Sequence, residues 1–224
     1  NYTEIGNSND WAGKANQGNS DIIMLGARGL KDPNNVYVEG WGFAPVTKAL
    51  NDAFLPDDPR KWTTIIDHEE FRAEGGTISS DVNQYTGYSV RKYHPRAGYS
   101  STVGTEALNY KNNYRVIRFS DILLMASEAL LRSGGSVGEA QDYYARVVKR
   151  AMGDDYKVPT VSLDNIYKER RYEFAMEGIR YWDLVRTNQA KDFIKGWDDT
   201  KKYLPIPQSE IDKSDGHLVQ NPHF

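Results

Sequence analysis

Cysteine is absent from the 224 residues, which removes disulfides, thiolate metal sites and thiol nucleophiles together and leaves the redox compartment open. Histidine is scarce: the four present are dispersed, and His68-Glu69-Glu70 lacks the second histidine that a zinc-protease helix needs, because position 72 is Arg. No apolar run approaches the ~20 residues of a membrane helix. Charge of one sign is also lacking. The net charge is −3, with 28 basic and 31 acidic side chains interspersed, so nucleic acid is not an expected partner. The Gly6–Gly13 spacing and Ala15 after Lys14 break the phosphate-loop pattern, and no G-x-S-x-G elbow occurs. The chain opens Asn1-Tyr2-Thr3 without a methionine. A start, a signal peptide or an anchor is therefore expected to have been removed, and the sequon in that triplet carries little weight.

Two compositions divide the chain. Twelve of the 19 glycines lie at or before Gly104, among many Asn, Ser, Asp and Tyr residues, and residues 1–114 read as a loop-rich segment with few short strands. Its clear helix is expected over 45–54, opened by Pro45 and stopped by Pro56, followed by a sharp turn and an apolar strand.

Residues 115–224 read as helical pairs. In FSDILLMASEALLRSGG, the spacing predicts one buried face of Phe119, Ile122, Leu123, Ala126, Ala129 and Leu130, with Gly134-Gly135 ending the helix. Ser127 and Ala126 are small enough for a close helix neighbour. Ser136 and Glu139 form a capping-box signature that opens the next helix. A third helix is expected over 162–178 and a fourth over 179–188. The tail, with KYLPIPQSEI and QNPHF, reads as extended and packed back over the helices.

The stretch KERRYEFAMEGIRYWDLVR, residues 168–186, spaces Glu169, Glu173 and Glu177 four apart. On a helix these span about 80°, and with Lys168, Arg171 and Ala175 assigned to solvent the glutamates point inward. Inward carboxylates need partners, and Arg118, Arg170, Arg180 and Arg186 are the available cations, with Asp183 and Arg186 paired three apart. A glycosidase acid and base pair using Glu173 or Glu177 is the catalytic alternative, but one helix stripe does not straddle a substrate. The structural reading, an ion-pair network of Glu169, Glu173, Glu177, Arg180, Asp183 and Arg186, is preferred.

Aromatic residues number 27, and Trp11, Tyr37, Trp41, Tyr85, Tyr88 and Tyr99 stand among polar, glycine-rich loops. Such rings stack on sugar faces while neighbouring Asn, Asp and Arg satisfy hydroxyls. Each could instead anchor its loop, Trp41 and Trp62 above all.

The segment from Arg118 through Asp121-Ile122-Leu123-Leu124-Met125 to Glu128-Ala129 resembles a signature helix of the SusD/RagB family. The resemblance continues in order through Lys168-Glu169-Arg170-Arg171-Tyr172-Glu173, then Glu177 to Arg186, Leu204-Pro205-Ile206-Pro207 with Glu210-Ile211, and Gln220-Asn221-Pro222. Trp41-Gly42-Phe43, Asp58-Pro59-Arg60 and Thr63-Thr64-Ile65 are similar to family positions upstream. The resemblance implies a mainly α fold, a superhelix of tetratricopeptide-like pairs, and a cell-surface lipoprotein of the outer membrane. Such a protein binds oligosaccharides, or peptides in some members, without catalysis or cofactor, and serves a SusC-like TonB-dependent transporter. It also implies a further N-terminal half of the same protein, bearing the lipid anchor and absent from this chain.

Overall fold

The computed structural model describes residues 18–82, 84–101 and 105–224. The described residues up to Met176 form one compact unit and Glu177–Phe224 another.

The first unit begins with short elements held by long-range backbone pairing. Helix α1 (Asp21–Leu25) buries Ile22 and Ile23. The helix expected over 45–54 is a single turn, α2 (Lys48–Asn51): Thr47 caps it by accepting from Leu50 N–H, while Pro45 and Val46 remain outside. Asp58 and Pro59 then start α3 (Pro59–Thr64), with the Asp58 side chain accepting from Arg60 N–H, where a sharp turn was expected. Strand β1 (Ile65–Asp67) follows, then α4 (His68–Ala73), capped by Asp67. β1 pairs antiparallel with β2 (Tyr88–Val90) in the register Ile65↔Val90, Ile66↔Ser89, Asp67↔Tyr88. Ile65 and Val90 form a core with Val46, Phe54 and Ala175, and Ile66 packs on the other side with Ala27, Leu30, Phe71 and Ile78.

The helical layer consists of α5 (Phe119–Ser133), α6 (Val137–Met152) and α7 (Leu163–Glu173). Gly134, at φ 71°, ends α5 with its N–H on Leu130 O, a left-handed cap that glycine adopts without a Cβ clash. Ser136 accepts from Glu139 N–H to open α6, and Ser127 Oγ donates to Ala140 O at 2.7 Å, so the two helices of this hairpin lie close.

The buried face of α5 departs from expectation. Ser120, Leu123, Leu124, Ser127 and Glu128 are buried, whereas Phe119, Ile122 and Met125 are exposed. The helix carries apolar residues on two sides, and packing against α6 and α7 uses the side with the small serines. The polar Glu128 is tolerated there because Arg132 and Tyr167 bond its carboxylate.

Helix α7 stops at Glu173, five residues short of the expected end, because Phe174 and Ala175 turn into the core and Met176 takes φ 63°. Ala175, expected in solvent, is buried, and Glu177 lies beyond the helix, off the stripe of Glu169 and Glu173.

The second unit contains α8 (Arg180–Arg186), α9 (Ala190–Phe193) and α10 (Gln208–Lys213). Residues 208–213, expected to be extended, form α10. The chain end folds onto this unit's own segment, with Gln220 bonded to both Ile206 N–H and Ile206 O. Arg186 Nε donates to Asp183 Oδ1 at 2.8 Å, and the Arg180 guanidinium lies 5.0 Å from the Phe193 ring centre. No helix among the described residues is long and apolar enough to cross a membrane.

Candidate functional site

Two glycines dictate the geometry of the aromatic loop. A Cβ on Gly40 would lie 2.4 Å from the Gly26 backbone, so residues 23–27 and 40–43 approach as only glycines allow. Four backbone bonds lock that approach: the N–H groups of Gly40, Trp41, Gly42 and Phe43 donate to the carbonyls of Ala27, Ile23, Gly26 and Met24, at 2.8 to 2.9 Å. His94 supports it from beneath, its Nε2 accepting from Ala27 N–H at 3.0 Å while Nδ1 meets Pro95 O at 3.1 Å, which assigns the ring proton to Nδ1. Burial pushes the His94 pKa down to about 4, so the ring stays neutral and remains an acceptor.

On this base Trp41 and Phe43 form a ledge, with ring centres 5.8 Å apart and planes inclined by 58°. Trp41 packs partly against the Ile22, Ile23 and Tyr110 cluster, whereas Phe43 is 67% exposed. Arg28, Glu39, Gly40, Trp41 and Phe43 line an open hollow of about 410 Å³. Glu39 is positioned there by Gly29 N–H, 2.8 Å from its Oε1. The hollow therefore offers apolar ring faces flanked by a cation and a carboxylate, a combination suited to a flat ligand rich in hydroxyls.

Arg28 also borders a narrow slot lined by Gly42, His68, Tyr85, Tyr88 and Ser89. Tyr85 lies over His68, ring centres 5.4 Å apart, and its hydroxyl accepts from Arg72. Burial lowers His68 to about 4 as well, and its Nε2 is 2.6 Å from Ser89 Oγ.

The six aromatic residues singled out in the sequence do not form one cluster. Trp41, Tyr85 and Tyr88 gather around Arg28 and Gly42. Tyr37, half-buried, instead packs against the core of Ile66 and Phe71, edge-on to His94, with the Arg91 and Arg96 guanidiniums 6.0 and 5.7 Å from its ring centre. Tyr99 is exposed, with no ring contact among the described residues, and Trp11 lies outside them. Trp62, expected to anchor, is 46% exposed under the Lys61 ammonium. Phe43 and Arg28 escaped the sequence reading, although alternation in Trp41-Gly42-Phe43 was a visible signal for the former.

The charged stretch is built differently from the ledge. Glu173, with 1% of its side chain exposed, accepts from Arg150 at 2.7 Å, Arg118 at 2.9 Å and Arg60 at 3.3 Å. Arg60 reaches Glu169 at 2.5 Å and Asp58 at 2.8 Å. Burial pushes the Glu173 carboxyl up, but the Arg118 hydrogen bond and the charges of Arg150, Arg118 and Arg60 outweigh it and hold it at about 2. Glu169 is raised by burial against the opposing pull of Arg60. Arg60 and Arg150 had no signal in the local sequence, and Arg170, offered as a partner, bonds Asp121 at 2.5 Å. A general acid needs a raised pKa, so Glu173 is unsuited to glycosidic proton donation.

The sequence model of the SusD family matches residues 7–224. The chain belongs to the SusD family. It is 24% identical, over 90% of its length, to SusD-like protein P2 of Formosa agariphila, of which the match covers 44%. Among solved structures, surface glycan-binding protein A of Bacteroides thetaiotaomicron, in complex with laminarihexaose, superposes with a TM-score of 0.82 at 33% identity, over 99% of this chain and 50% of that one. A laminarin-binding SusD-like protein gives 0.83 at 35% identity, over 100% and 48%. This chain thus spans about half the length of these SusD relatives and shares their mainly helical fold.

Proposed function

We propose that this SusD-family chain captures an oligosaccharide without chemical change, stacking sugar rings on Trp41 and Phe43 and bonding hydroxyls through Arg28 and Glu39. The exposed, backbone-fixed ledge is the observation that carries the reading. Tyr85 and Tyr88 extend it around Arg28. Support comes from two similar solved proteins, one complexed with laminarihexaose and one described as laminarin-binding, which makes a laminarin oligosaccharide the first ligand to test. The three guanidiniums that hold the Glu173 carboxylate support a structural role for it rather than proton donation to a glycosidic oxygen. Delivery to a SusC-like TonB-dependent transporter, and a lipid-anchored place on the outer-membrane surface, follow from family membership and belong to the same proposal.

Calorimetric titration with laminarihexaose provides the test. Phe43→Ala is expected to weaken binding about tenfold, equivalent to ~1.4 kcal/mol. Wild-type affinity in a correctly folded Trp41→Ala/Phe43→Ala double variant would remove the ledge from the binding surface. Binding to peptides alone would reassign the ligand class.

A further inference from the structure

Apart from the ledge, the first unit contains a cavity of about 310 Å³ whose lining includes Arg60, Lys92, Arg115, Arg118, Arg150 and Glu173. The acids in and behind this wall are already engaged. Glu173 takes hydrogen bonds from three guanidiniums, and Asp58 and Glu169 are both bound by Arg60. Arg60, Arg118 and Arg150 are thus committed to these carboxylates, and Lys92 Nζ donates to Glu173 O. Arg150 reaches Glu173 through Nη2 while its side chain remains 60% exposed. Arg115 is exposed on the extended run before α5 and has no hydrogen bond or ion pair among the described residues. Tyr93 and Tyr172 complete the wall with ring surface.

We propose that this cavity is a second binding site, for one oxyanion group, a sulfate or a carboxylate, either free or borne on a sugar ring. Guanidinium forks match both groups bidentately, and the saturated glutamates behind them fix the forks without neutralising them all. A volume of about 310 Å³ sits at the small end of ligand pockets, room for a single ring rather than a chain. Arg115 supplies the uncommitted charge, and Arg150 contributes its exposed edge. The site is independent of the glycan ledge.

Titration calorimetry at constant ionic strength, with sodium sulfate, glucuronate and glucose as probes, tests it. Expected is saturable one-site binding of at least one anion and none of glucose. Arg115→Ala should weaken it at least tenfold, Arg115→Lys should weaken it less than Arg115→Ala because the charge is kept while the fork is lost, and Phe43→Ala should leave it unchanged. Tighter binding of glucuronate than of sulfate identifies a carboxylate on a sugar ring; if sulfate binds and glucuronate does not, glucose 6-sulfate distinguishes a sulfate ester, which then binds more tightly than the free ion, from free sulfate, which then binds more tightly than the ester. If the folded wild-type protein gives no saturable binding of either anion, or Arg115→Ala binds as tightly as wild type, the site does not exist. Laminarihexaose titrations of the same variants report separately on the ledge.

Discussion

Glu173 links charge, burial and stability in a single side chain. Its pKa lies at about 2 in the folded protein against 4.5 ordinarily, so its stabilising contribution is present above pH 4.5 and is lost as pH falls toward 2. That contribution is about 3 kcal/mol. Glu173→Gln should flatten the fall in urea midpoint over this range, and Glu173→Ala should cost about 3 to 5 kcal/mol at neutral pH by stranding buried guanidiniums. The buried histidines act in a higher window. His68 and His94 are lowered from 6.5 to about 4, so the unfolded chain binds more protons between those values. Stability is therefore full above pH 6.5 and declines toward pH 4, by about 2 to 3 kcal/mol for each ring. Thermal melts at stepped pH would show the loss begin near 6.5, and replacing either histidine with a neutral residue of similar size should lessen it. At this scale the sequence revealed that Glu169 and Glu173 need cations and offered Arg118, which does bond Glu173, but not Arg60 or Arg150. Arg60 is more than a hundred residues from Glu169, and no local spacing encodes that meeting.

Local chemistry made element boundaries legible where it decided them. Gly134 after α5 and Ser136 before α6 are caps whose signals lie in the residues themselves. The end of α7 was not legible, because Ala175 leaves the helix to fill a core assembled from residues 46, 54, 65 and 90, while Phe174 is buried against the Arg118 and Arg170 guanidiniums. The buried face of α5 was hidden for a similar reason: a helix apolar on two sides reveals its neighbours only when they are present. The ledge was half legible. Trp41 could be read from the aromatic, glycine-rich loop, but Phe43 was not singled out, and the backbone crossing that fixes both rings joins segments whose pairing no periodicity announces. Gly40→Ala tests that crossing directly. Its methyl group would enter the Gly26 backbone, so a loss of about 3 kcal/mol is expected, with weakened laminarihexaose binding, measured by urea unfolding and calorimetry. Ser127→Leu should separate α5 from α6 and destabilise by a similar amount, with no direct effect on the ledge.

Across the whole molecule, family, helical class and the change in composition near residue 114 were open to sequence reading, because ordered motif blocks and helical periodicity run along the chain. The packing units were not, since the change of composition falls inside the first of them. Exposed apolar surface is the property most relevant to handling this protein. Phe119, Ile122 and Met125 stand out from α5, and Tyr114, Val116 and Ile117 on the run before it are 63%, 75% and 64% exposed. A net charge of only −3 gives weak electrostatic repulsion between copies. The consequence is colloidal: concentrated solutions should self-associate reversibly, light-scattering radii should grow with concentration, and hydrophobic dyes should fluoresce on fully folded protein. Ile122→Lys with Met125→Glu should suppress all three without lowering the melting temperature.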